Sequence, residues 1–176
     1  MIVVADIGNT TTHIAAFEKS QIIEDWYLQT PTKTTSKNFE LELTQFIHGH
    51  QTLFTKPQFE GWILCSVVPW LTPIFREMVR NLIGHIPTVL MRSSPLPIRL
   101  VPGESPTIGI DRLIVAAAAY DLVSSSVITV DIGTATTIDA VTDRGLFLGG
   151  IIIPGPRLWL DSLHIGTANL PNTEIE

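Results

Sequence analysis

Two short segments combine the residue types that can hold a phosphate group together with a cation. They are Asp6–Thr12, with the sequence Asp-Ile-Gly-Asn-Thr-Thr-Thr, and Asp131–Thr137, with the sequence Asp-Ile-Gly-Thr-Ala-Thr-Thr. Glycine lets the backbone approach a phosphate, hydroxyls and backbone amides donate hydrogen bonds to it, and an aspartate can hold a hydrated Mg²⁺. Neither segment has the lysine of a P-loop or the spaced glycines of a dinucleotide-binding fingerprint. One such turn would also suit an ordinary β-hairpin, so the pair together favours phosphate binding.

The two segments form an internal repeat. They differ only where Asn9 is replaced by Thr134 and Thr10 by Ala135, and each lies between an apolar strand-like run and a second strand-like run. This matched context indicates duplication of a structural half. Two such halves would face each other across a cleft, where a nucleotide could be held from both sides.

A third candidate is Gly109-Ile110-Asp111-Arg112, which opens an alanine-rich segment with helical spacing. The helix dipole favours an aspartate in a first turn, so one interpretation is a helix-start charge with Arg112 as its surface partner. The other is catalytic: Asp111 accepts a proton from an attacking hydroxyl, and Arg112 binds an anionic substrate. Both interpretations remain open at the level of the sequence.

The elements that must position these residues alternate between strand and helix, which predicts an α/β fold. Prolines around the start of the second helix and an apolar connector before the third are further features of the pattern. The first predicted elements are a three-stranded meander over 2–5, 12–17 and 22–28, a helix over 38–48 capped near Ser36, and a strand over 62–67. A second helix follows, whose start is bracketed by Pro69 and Pro73. The last elements are a connector over 93–106, a helix over 109–123 and a strand over 127–130.

Composition excludes several functional classes. The chain of 176 residues has a net charge of -6 and no basic run, which argues against nucleic-acid binding. No apolar run approaches the ~20 residues of a membrane-spanning helix, and the amino terminus lacks the basic leader of a signal peptide. The single cysteine, Cys65, is expected to be a buried, inert thiol in a reducing compartment. These features predict a cytoplasmic protein without membrane or nucleic-acid partners.

The chain resembles the type III pantothenate kinases, members of the acetate and sugar kinase, Hsp70 and actin superfamily. The resemblance extends from Ile2 to about Pro171 and implies an α/β fold of duplicated actin-like (ribonuclease H-like) lobes. Residues 1–108 would form the first lobe with the connector, and 109–176 an interlobe helix and a partial second lobe, which is expected to be truncated because family members usually continue further. The motifs that carry the resemblance, in family order and approximate spacing, are Asp6–Thr10, Gly109–Arg112, Asp131–Thr137 and Gly149–Gly155.

The resemblance implies ATP-dependent phosphorylation of pantothenate to 4′-phosphopantothenate, the first step of coenzyme A biosynthesis. It further implies a homodimer, Mg²⁺ and a monovalent cation, K⁺ or NH₄⁺. By the family pattern, Asp111 is the general base, Asp131 binds the monovalent cation, and Asp6 is a candidate Mg²⁺ ligand. The pattern assigns pantothenate to Gly109, Ile110, Asp111 and Arg112, and the ATP phosphates to Asp6, Ile7, Gly8, Asn9, Thr10, Thr11, Thr12, His13 and Thr134.

The sequence departs from the family at Pro102, which stands where the family usually has a substrate-contacting tyrosine. Two other functions are alternatives: a non-catalytic regulator of the Bvg accessory factor type, and an inactive fragment of a longer kinase. The apolar segments 151–153 and 158–163 are expected to be exposed, which predicts dimerisation or aggregation.

Overall fold

The computed structural model describes residues 1–34, 36–101, 108–171 and 173. The chain divides into two compact units, Met1–Arg92 and Ser93–Glu176, each with its own sheet. Among the described residues, no helix combines the length and apolar character that crossing a membrane requires.

The first unit is built on a five-stranded sheet with the order β3-β2-β1-β4-β5. The first three strands form the predicted antiparallel meander, while β4 runs parallel to β1 and β5 parallel to β4. The first strand is longer than predicted, because Asp6 and Ile7 still pair with the second strand. The strands are β1 (Ile2–Ile7), β2 (Thr11–Glu18), β3 (Gln21–Gln29), β4 (Gly61–Ser66) and β5 (Thr88–Val89).

Three helices belong to this unit: α1 (Ser36–Gly49), α2 (Gln51–Phe54) and α3 (Leu71–Ile83). The helical periods predicted for the two longer ones are confirmed, since one apolar stripe of each is buried in the core. The predicted cap near Ser36 concerns a side chain outside the described part of the chain. The buried stripes consist of Phe39, Leu43, Phe46 and Ile47 on α1, and of Leu71, Phe75 and Val79 on α3.

The second unit has a four-stranded sheet with the order β6-β9-β8-β7. Helix α4 contacts β7 and β8. Leu113, Ala116 and Ala117 of α4 are buried, so the alanine-rich face of this helix is its packed face. Small side chains permit such close packing. The elements are β6 (Arg99–Leu100), α4 (Ile110–Val123), β7 (Val127–Ile132), β8 (Ala135–Val141), β9 (Leu146–Pro154) and α5 (Pro156–Gly166).

The connector predicted over 93–106 contains a short strand. Arg99 pairs with Leu146 and Leu100 with Phe147, so β6 lies parallel to β9 and the connector belongs to the second unit. This pairing explains why the compact unit begins at Ser93. The lobe boundary predicted after residue 108 is a different boundary, since it refers to the duplicated halves of the sequence, and it stays a prediction. Pro102 lies outside the described residues.

Candidate functional site

The first phosphate-binding candidate is the turn between β1 and β2. The backbone N–H of Gly8 donates to the carbonyl oxygen of Thr11 at 3.0 Å. Asp6, Asn9 and Thr10 are exposed in and beside this turn. The side chain of Ile7 is fully buried and cannot contact a ligand at the turn.

Thr12, which the resemblance assigns to ATP, has a fully buried side chain. Its Oγ1 lies 2.9 Å from Oγ1 of Thr30, a hydrogen bond between β2 and the end of β3. The N–H of Thr30 donates to the carbonyl oxygen of Thr10 at 2.9 Å. The Thr12 hydroxyl therefore links β2 to the residue after β3 and is not exposed to a phosphate at the turn.

His13 lies opposite Asp6 on the neighbouring strand. Its ring stacks on Tyr27 with 4.1 Å between ring centroids and 4° between planes. Its Nε2 is 3.2 Å from Oδ2 of Asp25, so the imidazole is held against β3 by both contacts. These two contacts fix the position of the His13 side chain on the meander.

The second candidate turn joins β7 to β8. The N–H of Gly133 donates to the carbonyl oxygen of Ala135 at 3.0 Å, and Thr134 is exposed. The N–H of Gly155 donates to the carbonyl oxygen of Thr134 at 3.0 Å. A Cβ on Gly155 would lie 2.0 Å from the carbonyl oxygen of Gly133, so only glycine fits between this turn and the start of α5. The predicted segment Gly149–Gly155 thereby supports the second turn.

The two turns differ in register despite their matching sequences. Ile7 pairs with Thr12, but Ile132 pairs with Thr136, although Thr137 is the residue that corresponds to Thr12 in the repeat. A slip of one residue turns each side chain to the other face of the sheet. Thr12 therefore lies on the same face as Ile7, whereas Thr137 lies on the face opposite to that of Ile132. The two copies are related hairpins with different turn geometry.

Gly109 precedes α4 in an extended conformation, with φ -61° and ψ 142°. Oδ1 of Asp111 accepts a hydrogen bond from the backbone N–H of Arg112 at 2.8 Å. A Cβ on Gly109 would lie 2.2 Å from that same oxygen, so the missing side chain makes room for the carboxylate. Asp111 is half-buried and held at the start of the helix.

Arg112 forms a bidentate ion pair with Asp139 of β8. Its Nε donates to Oδ2 of Asp139 at 2.9 Å, and its Nη2 donates to Oδ1. The side chains are only 11% and 1% exposed, so the interpretation of Arg112 as a surface partner of Asp111 is wrong. The hydrogen bond to Asp139 raises the pKa of Arg112, and the charges of Asp139 and Asp111 add to this rise while burial opposes it. The guanidinium is therefore a fixed positive charge.

Asp139, the partner of Arg112, is a residue that the sequence interpretation missed. It pairs with Gly150 across β8 and β9, and a Cβ on Gly150 would lie 2.7 Å from Oδ1 of Asp139. The signal for Asp139 in the sequence was a carboxylate within an apolar run, because Ile138 precedes it and Ala140 and Val141 follow it. A buried carboxylate requires a cationic partner, and the sequence did not show which residue that partner is.

The chemistry of the donor groups fits a cation shared with a phosphate ligand. Asp6 and Asp131 are exposed carboxylates, each just before one of the two turns. Within residues 1–34, 36–101, 108–171 and 173, no group of three or more His, Cys, Asp or Glu side chains could form a metal cage. Mg²⁺ usually binds through one or two carboxylates, phosphate oxygens and water. Single carboxylates beside candidate phosphate-binding turns are compatible with that mode.

Comparison with known proteins assigns the chain to a family. The model of the type III pantothenate kinase family matches residues 2–176. A type III pantothenate kinase from Moorella thermoacetica is 35% identical over 178 residues, covering 99% of this chain and 68% of the relative. A second relative with that description, from Streptomyces griseus, is 32% identical and is covered over 67% of its length.

Solved structures support the fold. A Baf family protein from Campylobacter jejuni is 21% identical, with a TM-score of 0.54 over 99% of this chain and 65% of that one. A candidate 2-dehydro-3-deoxygalactonokinase from Sinorhizobium meliloti is 14% identical, with a TM-score of 0.54 over 95% of this chain and 57% of that one. At these identities the likeness concerns the fold alone, and it confirms the predicted actin-like α/β architecture. By the family match and the 35% identity, the chain belongs to the type III pantothenate kinase family, the kinases of the first step of coenzyme A biosynthesis.

Proposed function

We propose that this chain catalyses phosphoryl transfer from ATP to the primary hydroxyl of pantothenate, giving 4′-phosphopantothenate and ADP. The observation that carries the proposal is the start of α4, where Gly109 makes room for the Asp111 carboxylate and Arg112 is fixed beside it. A positioned carboxylate and a fixed cation suit a neutral hydroxyl nucleophile on an anionic substrate. We also propose a cytoplasmic location, which a chain with a single cysteine, and therefore with no internal disulfide, favours.

In the proposed reaction the hydroxyl oxygen of pantothenate attacks the γ-phosphorus of ATP. The bond between that phosphorus and the bridging oxygen of ADP breaks, and the hydroxyl proton moves to Asp111. Because Oδ1 of Asp111 already accepts the N–H of Arg112, we assign the proton to Oδ2. The remaining N–H groups of Arg112 would orient the carboxylate of pantothenate, while Gly109 and Ile110 would contact the substrate through their backbone.

We assign the ATP phosphates to the backbone and exposed side chains of the segment Asp6–His13 and to Thr134. Neither turn contains a lysine or arginine to neutralise the phosphates. Asp6 would hold Mg²⁺ and Asp131 a monovalent cation, K⁺ or NH₄⁺. Such cations, when bound, neutralise the charge that phosphoryl transfer spreads over the phosphate oxygens.

The test is ADP formation by the purified protein with ATP, pantothenate, Mg²⁺ and K⁺. We expect ADP to form only when pantothenate is present, to stop when a chelator removes Mg²⁺, and to fall when Na⁺ replaces K⁺. A folded protein that releases no ADP under these conditions contradicts the proposed activity. Calorimetry then separates the alternatives, because a regulator would bind neither ATP nor pantothenate. No observation on this chain favours the regulator.

We further propose that the protein self-associates as a homodimer. One face of the second sheet is apolar and exposed: Ile128, Val130 and Ile132 on β7 are 69%, 56% and 66% exposed. Val130 lies opposite Ile138, and Ile138 opposite Ile151, so an apolar row crosses three strands on this face. The expected exposure in 151–153 and 158–163 is confirmed for Ile151, Ile152, Leu158, Trp159 and Leu163. Contiguous apolar surface of this kind is typical of an interaction site.

Val130→Lys is expected to shift the protein from dimer to monomer in sedimentation velocity, because a lysine in the apolar row would have to lose its hydration in the interface. Leu122→Lys is the matched control: Leu122 is 86% exposed on α4 of the same unit and lies outside the row. The control should sediment like the wild type. A wild-type protein that stays monomeric at every concentration, or a Val130→Lys variant that dimerises normally, contradicts the proposed interface.

A further inference from the structure

We propose that Asp139 is a positioning residue for phosphoryl transfer. It holds the guanidinium of Arg112, and through Arg112 the first turn of α4, in the orientation that presents Asp111 and Arg112 to the substrate. The inference rests on the proposed function for its kinetic consequence. The three residues all lie within the second unit.

Hydrogen bonds join the three residues in a chain. Oδ1 of Asp111 accepts the backbone N–H of Arg112 at 2.8 Å, and the side chain of Arg112 donates from Nε and Nη2 to the two oxygens of Asp139. A guanidinium has five N–H donors, so the pair with Asp139 uses two and leaves three for an anion. Planar, bidentate pairing fixes the orientation of the guanidinium as well as its position.

Asp139 cannot itself meet the substrate, because its side chain is only 1% exposed. An ionised carboxylate at such burial is unfavourable unless a cation pairs with it. Arg112 supplies that cation from the start of α4, while its own side chain is 11% exposed. Asp139 therefore acts on any ligand through Arg112, which makes it a positioning residue and not a catalytic one.

Both carboxylates occupy space that a glycine vacates. A Cβ on Gly109 would lie 2.2 Å from Oδ1 of Asp111, and a Cβ on Gly150 would lie 2.7 Å from Oδ1 of Asp139. A side chain at position 109 would displace the carboxylate of Asp111, and one at position 150 would displace that of Asp139 and with it the guanidinium of Arg112. The arrangement is thus supported at both ends, which an incidental ion pair would not require.

A purely structural role makes a different prediction. Replacing a buried ion pair usually changes stability, and a stabilising pair that plays no part in catalysis would leave the kinetic constants of the folded protein unchanged. A positioning role alters the kinetics with one substrate specifically. Because Arg112 is assigned to pantothenate and not to ATP, the two substrates should respond differently.

The test uses Asp139→Asn, which keeps the shape and one acceptor oxygen but places an amide N–H where Oδ2 accepts from Nε of Arg112. We expect the KM for pantothenate to rise about 10-fold or more while the KM for ATP stays within about twofold of the wild type. Asp143→Asn is the matched control, since Asp143 is an exposed acid of the same unit, and its constants should equal those of the wild type. An equal rise in both KM values after Asp139→Asn overturns the proposal.

A double-mutant cycle with Arg112→Met tests whether Asp139 acts through Arg112. If it does, adding Asp139→Asn to Arg112→Met changes kcat/KM by less than about twofold, because the interaction is already lost. Effects that multiply in the double variant overturn the proposal. Should Asp139→Asn fail to fold, Arg112→Lys replaces it: lysine keeps the charge but lacks the planar fork, so the same KM difference is expected. Unchanged constants for Arg112→Lys overturn it as well.

A measurement without turnover separates this proposal from the proposed function. In a ¹⁵N spectrum, the Nε–H of Arg112 should exchange slowly with solvent because it is bonded to a buried carboxylate. The signal should disappear in Arg112→Met and exchange faster in Asp139→Asn. If the wild-type protein gives these spectra but has no pantothenate kinase activity, the proposed function is wrong. Asp139 then still stands as the group that holds Arg112. Unchanged exchange in Asp139→Asn overturns the proposal.

Discussion

Asp111→Asn is expected to lower kcat for pantothenate phosphorylation by about 10²- to 10⁴-fold, the usual contribution of a positioned general base. The asparagine has the same shape and keeps the acceptor for the Arg112 N–H, which is 2.8 Å from Oδ1 in the native protein. Helix α4 should therefore begin as before. What the variant lacks is the group that takes the hydroxyl proton, so kcat falls while the dissociation constant for ATP, measured by calorimetry, stays unchanged.

Asp121→Asn is the control for this experiment. Asp121 is an exposed carboxylate on the same helix, so its replacement makes the same change of charge without touching the helix start. We expect its kcat to match that of the wild type. Wild-type turnover by Asp111→Asn would remove Asp111 from the reaction, and an equal loss in both variants would attribute the effect to charge alone.

Gly150→Ala is expected to lower the free energy of unfolding by about 3 kcal/mol, because a methyl group is forced into a filled position. The added Cβ would lie 1.8 Å from the carbonyl oxygen of Ile138, 2.7 Å from Oδ1 of Asp139 and 2.8 Å from its Cα. Two of these three contacts are with backbone atoms, which cannot rotate away as a flexible side chain could. The pairing of β8 with β9 would have to shift.

The matched control is Gly166→Ala at the end of α5, where an added Cβ meets nothing within 4 Å. Its stability should stay within about 0.5 kcal/mol of the wild type, as for exposed substitutions in general. Unfolding in urea, followed by far-ultraviolet circular dichroism, gives the comparison. Coinciding transitions for the two variants would show that β9 can move away from β8 at little cost.

Elements whose signal is local could be predicted from the sequence. The meander of β1, β2 and β3 is specified by runs of β-branched and aromatic residues separated by short polar turns. The stripe of apolar residues on α3 follows the period of a helix, and Pro73 lies in its first turn. Each of these signals needs only neighbouring residues, so the predicted elements agree with the structure apart from their ends.

Elements defined by a distant partner could not be predicted in the same way. Strands β5 and β6 have two residues each, and only pairing with β4 and β9 makes them strands. The register of the two turns is a second case, since nearly identical segments pair one residue apart. A sequence comparison aligns residues, but the packing beneath each hairpin decides which residue lies opposite which.

The sequence by itself determined the family, the repeated turns, and the position of Asp111 at the start of a helix, because motif composition and spacing are properties of the chain alone. Only the tertiary structure decided what Arg112 does. Its partner Asp139 lies 27 residues away, on a strand whose inward face follows from the pairing of β8 with β9. A buried charge must meet its counterion in space, and which counterion it meets depends on how helix and sheet pack.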